Sequence, residues 1–409
     1  MNNFLTEDFI DRTMTSNMDN PDKSADSDET TSFDRRSVLA AGATAVAGTT
    51  LSGCLGGGDG GDGGDGSDGS DGSDGSDGSD GSDGGSGAAT NIAIVSSPAG
   101  FDDNAFNDLA VEGLEAAQEE YDIEINQVEE TQQSNYQSTQ ANLAESGDYD
   151  LVVLVSYNHT EALTQNAADY PDQNWMLINA HVDEPNVAGY TWANHEMSYL
   201  AGVLGGTMTT EELSHEGNSN EPSNAHIGFV GGVDGSLINA FEESYIAGAE
   251  WVNSDVTVDV GYIGDYSDTD TAASIASSQY DNGADIIYHG AAAAGQGVFE
   301  SAQENNRFAI GVDADQSVTL EEFQDVIIGS AVKFINAGTR EVASAVAEDN
   351  FESVTGPNTL GLEEEGVDAV IGQAFEGNLP DVVSQNIQDA KDGITSGDIE
   401  VPCSASGCN

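Results

Sequence analysis

The residues Phe101-Asp102-Asp103-Asn104-Ala105-Phe106-Asn107 combine carboxylates, aromatic rings and side-chain amides in one short stretch. Carboxylates accept hydrogen bonds from hydroxyls, rings stack on flat ligands, and an amide presents a donor and an acceptor together. The same residue types would also serve as a helix cap flanked by two core phenylalanines. Their setting is one in which either role is open. An apolar run, Asn91-Ile92-Ala93-Ile94-Val95, precedes them, and a helical pattern from Leu109 to Ala117 follows. Strand, polar loop and helix open an α/β unit, and open α/β sheets bind ligands at the carboxyl ends of their strands.

Four further loops follow strand-like runs: Ser156-Tyr157-Asn158-His159, Gly231-Gly232-Val233-Asp234, Gly290 to Gly297, and Asp313-Ala314-Asp315-Gln316. Glycine-rich loops can cradle a phosphate at a helix N-terminus. Here no Lys or Arg is near them, so close approach of backbone to a neutral ligand fits better, with tight turn geometry as the alternative. Lys333 stands out because only Arg307, Lys333, Arg340 and Lys391 carry positive charge after Cys54. It follows the apolar run Ile327 to Val332, where a charge needs a partner. Asp103, Asp313, a ligand or solvent could supply one. The six histidines, His159, His181, His195, His215, His226 and His289, share no metal-ligand spacing, so neither a metal nor another cofactor is expected.

The elements that must position these loops alternate. Strands are expected at 92–95, 123–128, 151–155, 175–178, 187–190, 225–230, 256–262, 286–289, 308–312 and 326–330, with helices between several of them. Short apolar strands separated by helices imply parallel sheets covered on both faces. So many strands over this length divide into two lobes. The expected organisation is 1–53 as leader and signal, 54–89 as tether, 90–190 with 331–350 as one lobe, and 191–330 with 351–409 as the other.

The chain has 409 residues and a formal charge of −66, from 74 acidic and 8 basic side chains. Such a surface repels nucleic acid and anionic lipid. It is tolerable where molar salt shortens the Debye length to about 3 Å, and the composition resembles that of proteins from salt-loving archaea. Arg35-Arg36, the apolar run Val38 to Leu51 and Leu51-Ser52-Gly53-Cys54 resemble a twin-arginine signal ending in a lipid-attachment Cys. The run is too short for an ordinary membrane span. Residues 55–89 are nearly all Gly, Asp and Ser, a flexible tether spanning roughly 30–35 Å. Cys403 and Cys408 are either a small C-terminal disulfide or two free thiols.

The folded part resembles the basic membrane protein family, the lipid-anchored substrate-binding proteins of ABC importers, which include purine nucleoside receptors. The resemblance runs from Ile92 to Pro402. It rests on ordered motifs, among them Phe101 to Asn107, Tyr170-Pro171-Asp172, Tyr199-Leu200-Ala201-Gly202, Ile227 to Gly232, Ile310 to Gln316 and Ser330-Ala331-Val332-Lys333. It implies a type I periplasmic-binding fold, with two Rossmann-like lobes of parallel sheet around a hinged ligand cleft. It also implies that Asp103 and Asn107 contact the ligand and that Phe106 stacks on it. Asp313 would accept from ribose hydroxyls, Tyr245 would supply a second ring, and Gly290 and Gly295 would let backbone approach the sugar. Ser156 and Tyr157 would face the first loop, and Lys333 would pair with a cleft acid or touch ligand. The sequence departs from the family pattern at Ala105, Asp108, Asn179, Ser244 and Tyr245.

The expected function is therefore an importer receptor rather than an enzyme. It would be a monomer exported by the twin-arginine route and anchored through Cys54 on the outer face of the membrane. It would capture a purine nucleoside and pass it to permease subunits, without nucleic acid as a partner. A nucleoside N-ribohydrolase and a receptor for a sugar or another polar solute are the alternatives.

Overall fold

The computed structural model describes residues 89–403; Arg35, Arg36, Cys54, the tether and Cys408 lie outside the described residues. The first lobe begins with β1 (Thr90–Val95), α1 (Phe106–Gln118), β2 (Ile123–Val128), α2 (Tyr136–Ser146), β3 (Leu151–Val155), α3 (Thr160–Asp169), β4 (Asn174–Ile178) and β5 (Val187–Trp192). The chain then enters the second lobe with α4 (Asn194–Met208). A short hairpin of β6 (Ser214–His215) and β7 (Asn218–Ser219) follows, then β8 (His226–Gly231), α5 (Ser236–Val252) and β9 (Thr257–Tyr262). This lobe continues through α6 (Thr269–Asp281), β10 (Ile286–Gly290), α7 (Gln296–Asn305), β11 (Phe308–Asp313), the single turn α8 (Gln316–Thr319) and β12 (Ile327–Lys333). The last elements are α9 (Ile335–Ala347), β13 (Gly356–Leu360), β14 (Val367–Ile371) and α10 (Asp381–Ser396).

Two six-stranded sheets result, in the orders β13-β5-β4-β3-β1-β2 and β14-β12-β11-β10-β8-β9. All pairings within them are parallel except β12 with β14. The central strand β3 reads Leu-Val-Val-Leu-Val and is buried throughout, as a strand covered on both faces must be. In the second lobe α4 and α5 cross so closely that a Cβ on Gly202 would lie 2.0 Å from the Tyr245 carbonyl oxygen. A Cβ on Gly248 would lie equally near the Tyr199 carbonyl oxygen. Glycine is needed there because the helix backbones themselves touch.

The lobe boundaries differ from those expected. The chain leaves the second sheet only after Lys333, so 331–333 belong to β12. It then crosses back through α9, which packs on α1, and adds β13 to the first sheet beside β5. Residues 356–360, expected in the second lobe, are thus in the first. A third crossing, 361–366, leads to β14. The physical reason is pairing: β5 would otherwise expose a free edge, and β13 covers it in parallel register from Gly356↔Ala188 to Leu360↔Trp192.

The three crossings are tied together. Ala193 N–H donates to the Leu360 carbonyl at 2.9 Å, and Phe334 N–H to the Gly366 carbonyl at 3.0 Å. Leu362 N–H donates to the Glu196 carboxylate at 2.7 Å. Burial raises the Glu196 pKa above the usual carboxylate value.

Candidate functional site

Both sheets direct the carboxyl ends of their strands at one interlobe cleft. Its floor is an ion pair: Lys333 Nζ lies 2.9 Å from Asp313 Oδ1, with side-chain exposures of 3% and 9%. The sheet dictates the pairing. Asp313 ends β11 and Lys333 ends β12, in neighbouring strands where Asp313 is in register with Val332. The ammonium sits 5.3 Å from the centroid of Phe106 and 5.2 Å from that of Phe241. Phe106 comes from the first lobe and Phe241 from α5 of the second, so one cation is framed by a ring from each side. Ser156, Tyr157, Asn158, Asn179, Tyr266 and Gly290 complete the wall around this chamber.

Backbone strain gathers at the same place. Asp102, Asn104, Ser156, Asn179, Ala292 and Asp313 all hold positive φ, from 47° at Ala292 to 107° at Ser156. Non-glycine residues adopt such angles at a cost of order 1–3 kcal/mol each, and they cluster at ligand clamps. Ser156 is held by its own turn: its Oγ accepts from Asn158 N–H and donates to Asn158 Oδ1.

Buried histidines tie the loops within each lobe. In the first, His159 Nε2 donates to the Ser96 carbonyl at 3.0 Å, with its ring stacked 3.7 Å from that of Tyr136. In the second, His289 Nε2 lies 2.9 Å from Gln316 Oε1, which also accepts from Val312 N–H at 2.9 Å. Because Gln316 Oε1 can only accept, His289 donates. Burial lowers both imidazoles to about 4, so both are neutral.

Of the residues singled out in sequence, Phe106, Ser156, Tyr157, Gly290, Asp313 and Lys333 come together in the chamber. The structure turns the others away from it. The Asp103 carboxylate accepts from Ala105, Asn107 and Asp108 N–H and from Asn107 Nδ2. Asn107, fully buried, accepts from Ser97 N–H and donates to Ser97 Oγ. Both therefore build the loop: Asp103 because the start of α1 has no capping side chain at Ala105 and its free N–H groups recruit the carboxylate, and Asn107 by tying that start to Ser97. Gly295 sits against His289, and a Cβ there would lie 2.0 Å from the imidazole Cε1. The room it leaves is for that ring, not for a ligand. Cys403 is disulfide-bonded, and the expected partner Cys408 lies outside the described residues.

Tyr245 is wholly buried among Phe229, Tyr288 and the backbone of α4, with no hydrogen-bond partner for its hydroxyl. The ring that reaches the cleft is Phe241, one turn earlier on α5. Helices in this fold start at the cleft, so a ring near the helix start reaches the site and one farther along packs in the core. Phe241 was open to that argument in the sequence. Gly290 then makes room for it, since a Cβ there would meet Phe241 Cδ1 at 3.2 Å. Tyr245→Phe should leave ligand affinity unchanged and hold or raise stability in urea unfolding, since an unpaired buried hydroxyl costs about 1–3 kcal/mol.

The family model described as "ABC transporter substrate-binding protein PnrA-like" matches residues 90–405. A Lactococcus lactis protein named ABC transporter nucleoside-binding protein BmpA is 30% identical over 329 residues, covering 76% of this chain and 88% of that protein. A Listeria monocytogenes CD4+ T-cell-stimulating antigen is 30% identical over 330 residues, covering 76% of this chain and 87% of its own length. Among solved structures, an ABC transporter solute-binding protein from Aeropyrum pernix superposes with a TM-score of 0.68 at 23% identity, over 76% of this chain and 94% of the other. That last likeness speaks to the fold, the two-lobed periplasmic solute-binding architecture. With a cleft built for capture and a family match that spans both lobes, the chain belongs to the PnrA-like family of ABC transporter substrate-binding proteins, which bind rather than transform their ligands.

Proposed function

We propose that this protein captures a purine nucleoside between its lobes and delivers it to the permease of an ABC importer. One observation carries the reading: a phenylalanine from each lobe flanks a buried Asp313–Lys333 pair at the carboxyl ends of β11 and β12. Flat bases suit paired rings. Asp313 Oδ1 has Lys333 as its ion-pair partner at 2.9 Å and accepts no other hydrogen bond among the described residues, so the carboxylate retains capacity to accept from ribose hydroxyls. A ligand lacking those hydroxyls would leave it underpaired, which is how such a site gains selectivity. The name of the Lactococcus lactis relative points to the same ligand class.

Thermal unfolding in molar KCl with adenosine, guanosine, inosine and a panel of sugars tests this. A ligand that binds only the native state stabilises it by about 2.7 kcal/mol at a hundredfold excess over Kd. A shift with a purine nucleoside is expected. Phe106→Leu and Phe241→Leu, which keep an apolar side chain but remove the ring, should each weaken binding roughly threefold to tenfold. A shift with sugars alone would replace the nucleoside by a sugar as the cargo.

The reading includes export through Arg35-Arg36 and a lipid on Cys54, holding the protein at the outer face of the membrane by a tether of Gly, Ser and Asp. Its support is the sequence pattern of 34–89. Cys54→Ser should move the protein from the membrane fraction to the medium, with the change read by mass of the mature N-terminus.

A further inference from the structure

Asp103 is nearly buried, at 4% exposure, yet it does not line the ligand chamber. Every hydrogen bond that it makes is one that it accepts. Ala105 N–H lies at 3.1 Å, Asn107 N–H at 3.0 Å, Asn107 Nδ2 at 2.7 Å and Asp108 N–H at 3.3 Å. A second carboxylate, Asp108, accepts from Asp102 N–H at 2.9 Å and Asn104 N–H at 2.8 Å. Between them they hold the backbone of residues 102–108, including the strained Asp102 and Asn104. Two parts of the capture machinery hang on that loop. One is the Phe106 ring over Lys333. The other is the Asn104 carbonyl, which accepts from Thr319 Oγ1 of the second lobe at 2.8 Å, a direct bond across the cleft.

We infer that Asp103 is a positioning residue, whose ionised carboxylate sets the loop so that Phe106 meets the ligand and Asn104 latches the second lobe. The inference rests on the proposed capture function and adds to it a pH dependence of affinity. A protonated carboxyl can no longer accept from all of these N–H groups, and because they are what lowers its pKa, acid favours a loop that releases them while the carboxyl stays buried, so the clamp loosens without exposing Asp103. The groups facing it are few. Asp108, on α1, and Asp102, in the loop, are acidic. From the second lobe Ala292, Ala293, Gln296, Gln316 and Leu320 face this loop, and none is charged. Burial, opposed by the hydrogen bonds to Asn107 and reinforced by Asp108, pushes Asp103 up to about 6. The clamp therefore opens within the range that a cell surface can meet.

The test uses the full chain in molar KCl, titrated with adenosine, guanosine and inosine between pH 7.5 and 5. Wild-type affinity should fall roughly tenfold as pH drops through 6, about what losing one helix cap converts to. Asp103→Asn places an amide N–H against the same donors. It should bind at pH 7.5 as weakly as the wild type at pH 5, and its profile should be flat. Thr319→Val should weaken binding severalfold but keep the wild-type profile. A purely structural role for Asp103 would change stability and leave the pH profile of affinity in place. Amide hydrogen exchange supplies a ligand-free readout: protection of the Ala105, Asn107 and Asp108 amides should fall below pH 6 in the wild type and be low at every pH in Asp103→Asn. Wild-type affinity independent of pH, an unchanged profile in Asp103→Asn, or protection that does not respond to pH would each overturn the inference. Failure of all three nucleosides to bind while amide protection still follows pH would instead overturn the nucleoside reading and leave the clamp standing.

Discussion

Replacing Lys333 by methionine should destabilise the protein by about 3–5 kcal/mol and reduce ligand affinity by at least a hundredfold. The stability figure follows from leaving Asp313 charged and alone in a wall where it is largely withdrawn from water. The affinity figure adds two losses: the ammonium no longer braces the Phe106 and Phe241 rings, and the carboxylate no longer has a fixed orientation. The double variant Lys333→Met/Asp313→Leu separates the two effects. With both charges gone the buried penalty disappears, and stability in urea should return to within about 1–2 kcal/mol of wild type. Binding should not return. If the double variant binds as well as the wild type, the pair supports the fold and has no part in capture. If Lys333→Met is as stable as the wild type, the pair is not desolvated as its burial implies.

The same pair shows what a sequence can and cannot disclose. That Lys333 needed a partner followed from its position after the largely apolar run Ile327 to Val332. Which acid supplied it did not follow, because that depends on β11 and β12 being neighbours. The strands of both sheets were legible wherever an apolar run was buried on two faces, as in β3 or β10. β13 and β14 were not. β13 reads Gly-Pro-Asn-Thr-Leu and is partly exposed along its length, and β14 is a short edge strand paired antiparallel. The edge strands β2 and β9 still showed alternation next to a helix, whereas β13 holds a Pro and a Gly and β14 follows it with no helix between, and missing these two misplaced the third crossing between lobes.

Depth was the second thing hidden. Asp103, Asn107, Tyr245 and Gly295 have the residue types that a ligand site uses and lie in or near its loops. Each is turned inward, to a helix start, to Ser97, to the α4–α5 core or to His289. Spacing alone cannot separate a loop residue that faces the ligand from one that holds the loop. The hydrogen bonds do so here, because the helix α1 begins at a residue with no capping side chain and its N–H groups had to be met from the loop.

Acid should expose the histidines that hold the cleft walls. His159 and His289 are buried and neutral, with pKa values lowered by burial from 6.5 to about 4. A histidine whose folded pKa is lowered binds its proton more readily in the unfolded chain. Its contribution to stability is full above pH 6.5 and is lost as pH falls from there to 4. At about 1.36 kcal/mol for each pH unit between those two values, each imidazole accounts for about 3 kcal/mol over that window. Asp103 and Asp285 work in the opposite direction. Burial raises both to about 6, so the penalty for keeping them charged is present above pH 6 and is relieved as pH falls toward 3.8. The whole protein's stability therefore changes less with pH than any one of these groups would dictate, and the wild-type curve is a poor readout. The difference between variants is a sound one. In molar salt, where the surface acids are screened, the stability advantage of the wild type over His289→Gln should shrink by about 2–3 kcal/mol between pH 7.5 and pH 4.5. His159→Gln should behave alike, because its imidazole does in the first lobe what His289 does in the second. An advantage that stays constant over that range would mean that the imidazole takes up its proton as readily in the folded protein as in the unfolded chain, and that burial does not hold it neutral.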